Sequence, residues 1–396
     1  MRTLLLASAA TLGVTGAAIA GGHEVKIGII LGFTGPIESL TPQMADSAEL
    51  AFTEVSDSGL FLDGKAIVPV RADSTCVDAG AASAAAERLI TSDGVAAIMG
   101  ADCSGVTTAI ANNVAIPNGV VMVSPSATSP ALSTIDDDGL FFRTAPSDAR
   151  QGDVLANILN DRGVSEVAVT YTNNDYGKGF ADAFIAAYEG LGGSVSISAP
   201  HEDGKGDYSA EVGALAAAGG DVLVVLGYAD QGGVGIMQAS IDTGAFDLFA
   251  LGDGMFADSL IETLGADIEG TVGSVPWSEG AGADAFAALT EAAGVNGDSA
   301  FTRESYDAGA LIALAMQAGG AADRETVAAN LLDVANAPGE PILPGELAKG
   351  LEILAGGGEI DYVGATNVEL IGPGEAAGSY REFIVDGGAY ETVQFR

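Results

Sequence analysis

Histidine, cysteine, tryptophan and basic residues are all scarce in this chain of 396 residues. The two histidines, His23 and His201, lie far apart in sequence, which argues against a Ser-His-Asp triad and against a zinc site. Fifteen Lys and Arg face fifty-four Asp and Glu, for a net charge of −39. Such a surface repels phosphate backbones, so nucleic acid is not an expected partner. After the first twenty residues no uninterrupted apolar run reaches the length of a membrane span. G-x-S-x-G, H-E-x-x-H and P-loop motifs are missing too, and neither a cofactor nor a metal is expected.

What stands at the start is "MRTLLLASAATLGVTGAAIA". One charge, Arg2, precedes an apolar run that ends in small residues at Ala18 and Ala20. This is the layout of a signal peptide, residues 1–20, cleaved after Ala20. No cysteine follows the cut, which argues against a lipid anchor. The two cysteines are Cys76 in "DSTCVDAG" and Cys103 in "IMGADCSGVTT". A nucleophile, a metal ligand and half of a disulfide are all open to a cysteine beside Ser104. Export favours disulfides over free thiols.

The remaining length exceeds one comfortable core, so two lobes are expected. Apolar runs alternate with helical patterns. "VKIGIIL", "AIVPVRAD", "VAAIMGAD" and "GVVMVSPSA" read as strands, with Ala-rich helices between them. The alternation restarts after "FFRTAPSDAR" with "EVAVTYT", "SVSISAP", "DVLVVLGYA" and "DLFALGD". Near-continuous apolar strands imply parallel sheets covered on both faces, an α/β fold of two doubly wound lobes. The chain is expected to pass between them more than once, near Pro146 and again near "GSVPWSEG".

Ligands in such sheets sit beyond the carboxyl ends of strands. Ser104, Ser126 and Thr128 stand there as small hydroxyl residues at helix starts, suited to an anion or simply to capping. Tyr176, Tyr228, Asp230 and Asp253 follow strands of the second set. Aromatics there can close over a ligand, and a carboxylate can meet an ammonium; ordinary turn chemistry is the plainer account. "GDGMFA" at 252–257 spells a dinucleotide fingerprint, but late in its sheet and without the acidic strand end that should follow. "DDDG" at 136–139 lacks EF-hand spacing and reads as a solvated turn.

Taken in order, "VKIGIILGFTGP", the two cysteines, "CSG", "SPSATSP", "NNDYGKGF", "GYADQGG" and "LGDG" make the chain resemble periplasmic substrate-binding proteins of the leucine/isoleucine/valine type, which serve ABC importers. The resemblance implies a type I periplasmic binding fold, two lobes joined by three crossings. Lobe one would comprise 21–144 plus 275–362, and lobe two 145–274 plus 363–396. It implies a Cys76–Cys103 disulfide bordering the pocket. Ser104 and Thr128 hydroxyls and the Ser126 backbone would hold an α-carboxylate, and Asp253 an α-ammonium. Tyr176 would close over the ligand and Tyr228 would line the pocket.

The expected protein is a monomeric periplasmic carrier of an amino acid, partnered by a membrane permease. It is no enzyme, since no base stands ready for Ser104 or Cys103. A soluble ligand-sensing co-receptor of the same fold is the alternative. Three departures stand out. Asp253 replaces the usual glutamate, Leu40 stands near a usual aromatic, and Asp102 precedes Cys103 where leucine-type binders carry an apolar residue. With Glu38 nearby, an Asp102 that faces the ligand implies a pocket for a polar or cationic side chain; the alternative is an Asp102 turned to solvent.

Overall fold

The computed structural model describes residues 24–396; the expected signal peptide lies outside the described residues. The first stretch runs β1 (Glu24–Leu31), α1 (Thr41–Asp57), β2 (Ala66–Asp73), α2 (Ala79–Arg88), β3 (Ile98–Gly100), α3 (Ser104–Ile110), β4 (Met122–Ser124) and β5 (Phe141–Arg143). The second runs α4 (Asp148–Asp161), β6 (Glu166–Thr172), α5 (Asp175–Gly190), β7 (Ser194–His201), α6 (Ser209–Ala218), β8 (Val222–Leu226), α7 (Gly232–Thr243), β9 (Phe249–Leu251), α8 (Asp258–Leu264) and β10 (Val272–Pro276). The chain then returns with α9 (Ala281–Ala293), α10 (Thr302–Gly319), α11 (Arg324–Ala335), β11 (Glu340–Ile342), α12 (Leu347–Ala355), β12 (Ile360–Tyr362), β13 (Leu370–Ile371) and β14 (Glu375–Ala376). It ends in β15 (Tyr380–Asp386) and β16 (Ala389–Phe395).

Two seven-stranded sheets result, in the orders β13-β14-β5-β4-β3-β1-β2 and β16-β15-β10-β9-β8-β6-β7. The five strands that open each lobe share one arrangement, and all pair in parallel. The order reverses beside β1 and beside β6, so each sheet has a switch point at its carboxyl edge, where such folds take ligands. Every residue of β8 is buried, as a central parallel strand requires. Helix α10 is buried from Thr302 to Gln317, consistent with its apolar residues lying on all sides.

The last expected boundary moves. Strand pairing keeps the chain with the first sheet past residue 362, because Glu375 of β14 pairs with Arg143 of β5. The crossing therefore lies between β14 and β15, and β10 stays with the second sheet through Pro276.

Two crossings are bonded to each other. The Trp277 N–H donates to the Ser379 carbonyl at 2.9 Å, and the Ser379 hydroxyl donates to the Trp277 carbonyl at 2.6 Å. Trp277 lies against two guanidinium groups, Arg303 from lobe one at 3.6 Å from its ring centroid and Arg381 from lobe two at 5.0 Å. Among the described residues no helix is long and apolar enough to cross a membrane.

Candidate functional site

Residues after β3 and β4 meet residues after β6, β8 and β9 around one cavity. Ser104 opens α3, just after Cys103, and Cys103 is bonded to Cys76. The bridge ties the end of β3 to the loop after β2, beside Asp102 and Ser104. Nothing is left of a free thiol, since both cysteines are in this disulfide.

The loop carrying Ser126 and Thr128 is held from behind. Arg143, fully buried, donates to the carbonyls of Ala127 at 3.0 Å and Ser129 at 2.9 Å, and pairs with Glu375. The Ser126 hydroxyl donates to the Asp102 carbonyl at 3.1 Å, and the Ser104 hydroxyl accepts the Ser129 N–H at 3.0 Å. Thr128 is completely buried, and its hydroxyl oxygen has no partner among the described residues. Three hydroxyl side chains therefore sit close together in lobe one.

Lobe two supplies the acid. The Asp253 carboxylate accepts the Tyr176 hydroxyl at 2.6 Å and the Gly254 N–H at 2.9 Å. Burial pushes its pKa up to about 6, against the pull of those two donors. Tyr228 stacks on Tyr176 with ring centroids 5.2 Å apart, and its hydroxyl accepts from Asn174 at 3.2 Å. The glycines of "GDG" answer to these tyrosines. A Cβ on Gly254 would stand 2.6 Å from the Gly227 carbonyl oxygen and 3.1 Å from the Tyr176 hydroxyl. Close packing, not pyrophosphate, accounts for that motif.

Ile37, Leu40 and Phe301 form an apolar wall. Asp102 also lines the cavity, but its own lobe takes both of its oxygens. One accepts the Gly32 N–H at 2.6 Å and the other the Ser74 hydroxyl at 3.0 Å. Burial raises its pKa all the same. Glu38 is exposed and caps Gly35 at 3.4 Å. Asp230 bridges the lobes instead of facing the cavity: it accepts the Ser39 N–H at 2.8 Å and the Ser259 hydroxyl at 2.7 Å. On the other flank the Ser129 hydroxyl donates to the Asp175 carbonyl at 3.0 Å. The lobes are therefore latched on two sides, and Ser104, Thr128, Tyr176, Tyr228 and Asp253 are all buried.

Of the expected site residues, Asp102, Ser104, Ser126, Tyr176, Tyr228 and Asp253 line the cavity, and Thr128 lies buried behind it. Sequence reasoning missed Ile37, Phe301, Arg143 and Asp148. Arg143 carried a signal, a lone cation ending the apolar strand "FFR". Asp148 carried only that of an acid beginning a helix. It is completely buried, and its pKa is raised well above the usual range by burial and by the Asp253 charge, with the Thr128 hydroxyl and Arg143 pulling the other way. Among the described residues no group of His, Cys, Asp and Glu is arranged to hold a metal ion.

The family model described as periplasmic binding protein matches residues 24–346. A Leu/Ile/Val-binding protein homolog from Brucella melitensis is 32% identical over 335 residues, covering 83% of this chain and 87% of the relative. A chemotactic signal transduction substrate-binding protein from Halobacterium salinarum is 29% identical over 358 residues, covering 88% of this chain and 84% of the relative. Among solved structures, a leucine-binding protein from Thermotoga maritima superposes with a TM-score of 0.79 at 25% identity, covering 94% of this chain and 98% of that one. A branched-chain amino acid binding protein from Streptococcus pneumoniae, solved with isoleucine, gives 0.76 at 22% identity, covering 93% and 99%. A solute-binding protein from Rhodopseudomonas palustris, solved with benzoate, also gives 0.76, at 17% identity, covering 94% and 96%.

Proposed function

The chain belongs to the periplasmic binding protein family, and from that premise we propose that it captures an aliphatic α-amino acid between its lobes and hands it to the permease of an ABC importer. One observation carries the reading: a single cavity has hydroxyl side chains on one lobe, a buried acid on the other, and an apolar wall. A zwitterion with an aliphatic side chain matches all three. Ser104, Ser126 and Thr128 would take the carboxylate, Asp253 the ammonium, and Ile37, Leu40 and Phe301 the side chain. Tyr176 and Tyr228 would cover the ligand from lobe two.

The specificity expected from Asp102 changes here. An acid whose two oxygens are already bound by Gly32 and Ser74 has little left to offer a cationic side chain. We therefore read Asp102 as a brace for the strand end. A carboxylate without an ammonium, as in the benzoate-bound neighbour, would leave Asp253 buried without a counter-charge, which is costly. Lobe closure would work by a hinge at the crossings. The signal peptide at 1–20 would deliver the protein to the periplasm as a monomer, and no chemistry would be done on the ligand.

The Halobacterium relative supports a second reading, a soluble co-receptor that reports the same ligand to a sensor. Uptake of labelled leucine in a strain lacking this protein distinguishes the two: loss of uptake means transport, and loss of chemotaxis alone means sensing.

The direct test is a thermal-shift series with L-leucine, L-isoleucine, L-valine, L-lysine and benzoate. A ligand at a hundred times its dissociation constant adds about 2.7 kcal/mol of stability. The branched-chain amino acids should shift the transition. A response to lysine above that to leucine would restore the acidic side-chain pocket, and a response to benzoate alone would end the amino-acid reading.

A further inference from the structure

Asp148 is the first residue of α4, where the chain enters lobe two. Its N–H donates to the Thr128 carbonyl at 2.8 Å, which places it against the loop expected to hold the ligand. It is completely buried, and neither carboxylate oxygen has a hydrogen-bond partner among the described residues. The nearby Thr128 hydroxyl, itself without a partner in hydrogen-bond geometry among the described residues, pulls the acid's pKa down, and burial outweighs that pull. Helix capping does not explain the acid, because Ser147 takes that role through the Ala149 N–H at 3.3 Å. Packing does not explain it, because an unpartnered buried carboxylate is costly where an amide of the same shape would serve.

The groups that face Asp148 electrostatically come from every side. Arg143 and Thr128 belong to lobe one, Asp253 and Tyr380 to lobe two and Tyr176 to α5, while Asp253 is faced in turn by Glu304 of α10. Arg143 is already engaged, by Glu375, the Ser133 hydroxyl and two backbone carbonyls. The two buried carboxylates, Asp148 and Asp253, therefore repel one another, and Arg143, the cation that acts on Asp148, is already engaged by Glu375.

We propose that Asp148 and Asp253 together form the receptor for the ligand's ammonium group, sharing one proton until the ammonium arrives and releasing it on binding. The proposal rests on the amino-acid reading. The O–H bond of the shared acid breaks, the proton passes to solvent buffer, and the ammonium replaces its charge, so the step needs no other reactant. In this account Asp253 contacts the ammonium, and Asp148 makes the site doubly acidic from behind. The raised pKa of both groups agrees with the geometry.

The experiment is calorimetry of the full chain with L-leucine, L-isoleucine and L-valine at pH 6, in phosphate and in imidazole, whose protonation heats differ. Close to one proton should be released per ligand, and affinity should tighten up to about tenfold per pH unit while the pair holds its proton. Asp148→Asn should lower the release to what Asp253 gives by itself, about half a proton at pH 6 with its pKa of about 6, and weaken the pH dependence. Binding with identical heats in both buffers, or a D148N protein that releases the same proton, overturns the proposal and leaves the amino-acid reading standing. If D148N does not fold, the proton count of the wild-type protein decides. No binding of any of the three amino acids overturns the amino-acid reading and this proposal with it.

Discussion

The Tyr176 hydroxyl donates to Asp253 at 2.6 Å and accepts the Gly254 N–H at 3.2 Å. One phenol thus fixes the acid and the backbone that follows it. The same ring stacks on Tyr228, so a single side chain aligns the acid and covers it.

Tyr176→Phe should keep the stacking and lose the donor. A hydrogen bond to a charged group is worth about 1.5–3 kcal/mol, so leucine should bind roughly 10- to 150-fold more weakly. The Tyr176 bond lowers the Asp253 pKa, so its loss raises that pKa and increases the protonated fraction at a given pH. The defect should therefore be larger at pH 6 than at pH 8. Calorimetry at both values measures it, and an unchanged affinity at both would remove Tyr176 from the site.

Glu304, near the start of α10, is buried, and burial pushes its pKa up to about 8 from 4.5. The unfolded chain ionises this group near its ordinary value. The stabilisation from the neutral acid is thus complete below that value and lost as pH rises toward 8. Glu304→Gln should leave stability nearly unchanged at pH 4 and raise it at pH 8, by an amount on the order of 2–4 kcal/mol. Urea unfolding at the two pH values tests this; the same difference at both would mean that Glu304 does not titrate with folding.

The Cys76–Cys103 bridge closes a loop with a sequence separation of 27. On the chain-entropy account such a loop contributes about 3–4 kcal/mol. A double Cys76→Ala, Cys103→Ala variant should lose that much in urea unfolding. Leucine affinity should fall as well, since Cys103 lines the cavity next to Ser104. A double variant with the wild-type unfolding midpoint would show the bridge to be dispensable.

The parts of this molecule that the sequence reveals are those set locally. The apolar runs of "VKIGIIL" and "DVLVVLGYA" mark strands, and the polar residues after them mark the cleft, because a parallel strand buries both faces and then must turn. Asp102 shows where this logic stops. Its position beside the pocket is legible, but the partners that consume its oxygens, Gly32 and Ser74, are 70 and 28 residues away. Asp148 is harder still, since an acid at a helix start is ordinary and only the meeting of two lobes buries it. The final crossing escapes for a similar reason. Strands β13 and β14 have two residues each, too few to show a period, and their place is set by pairing with β5.

Trp277, the only tryptophan in the chain, gives the protein a built-in optical gauge. Its indole lies against a guanidinium from each lobe, so a rotation of one lobe against the other changes the charge beside the ring. Indole emission responds to such a change. Domain motion could therefore be followed in the unlabelled protein, on the timescale of mixing, and its rate separated from that of ligand arrival.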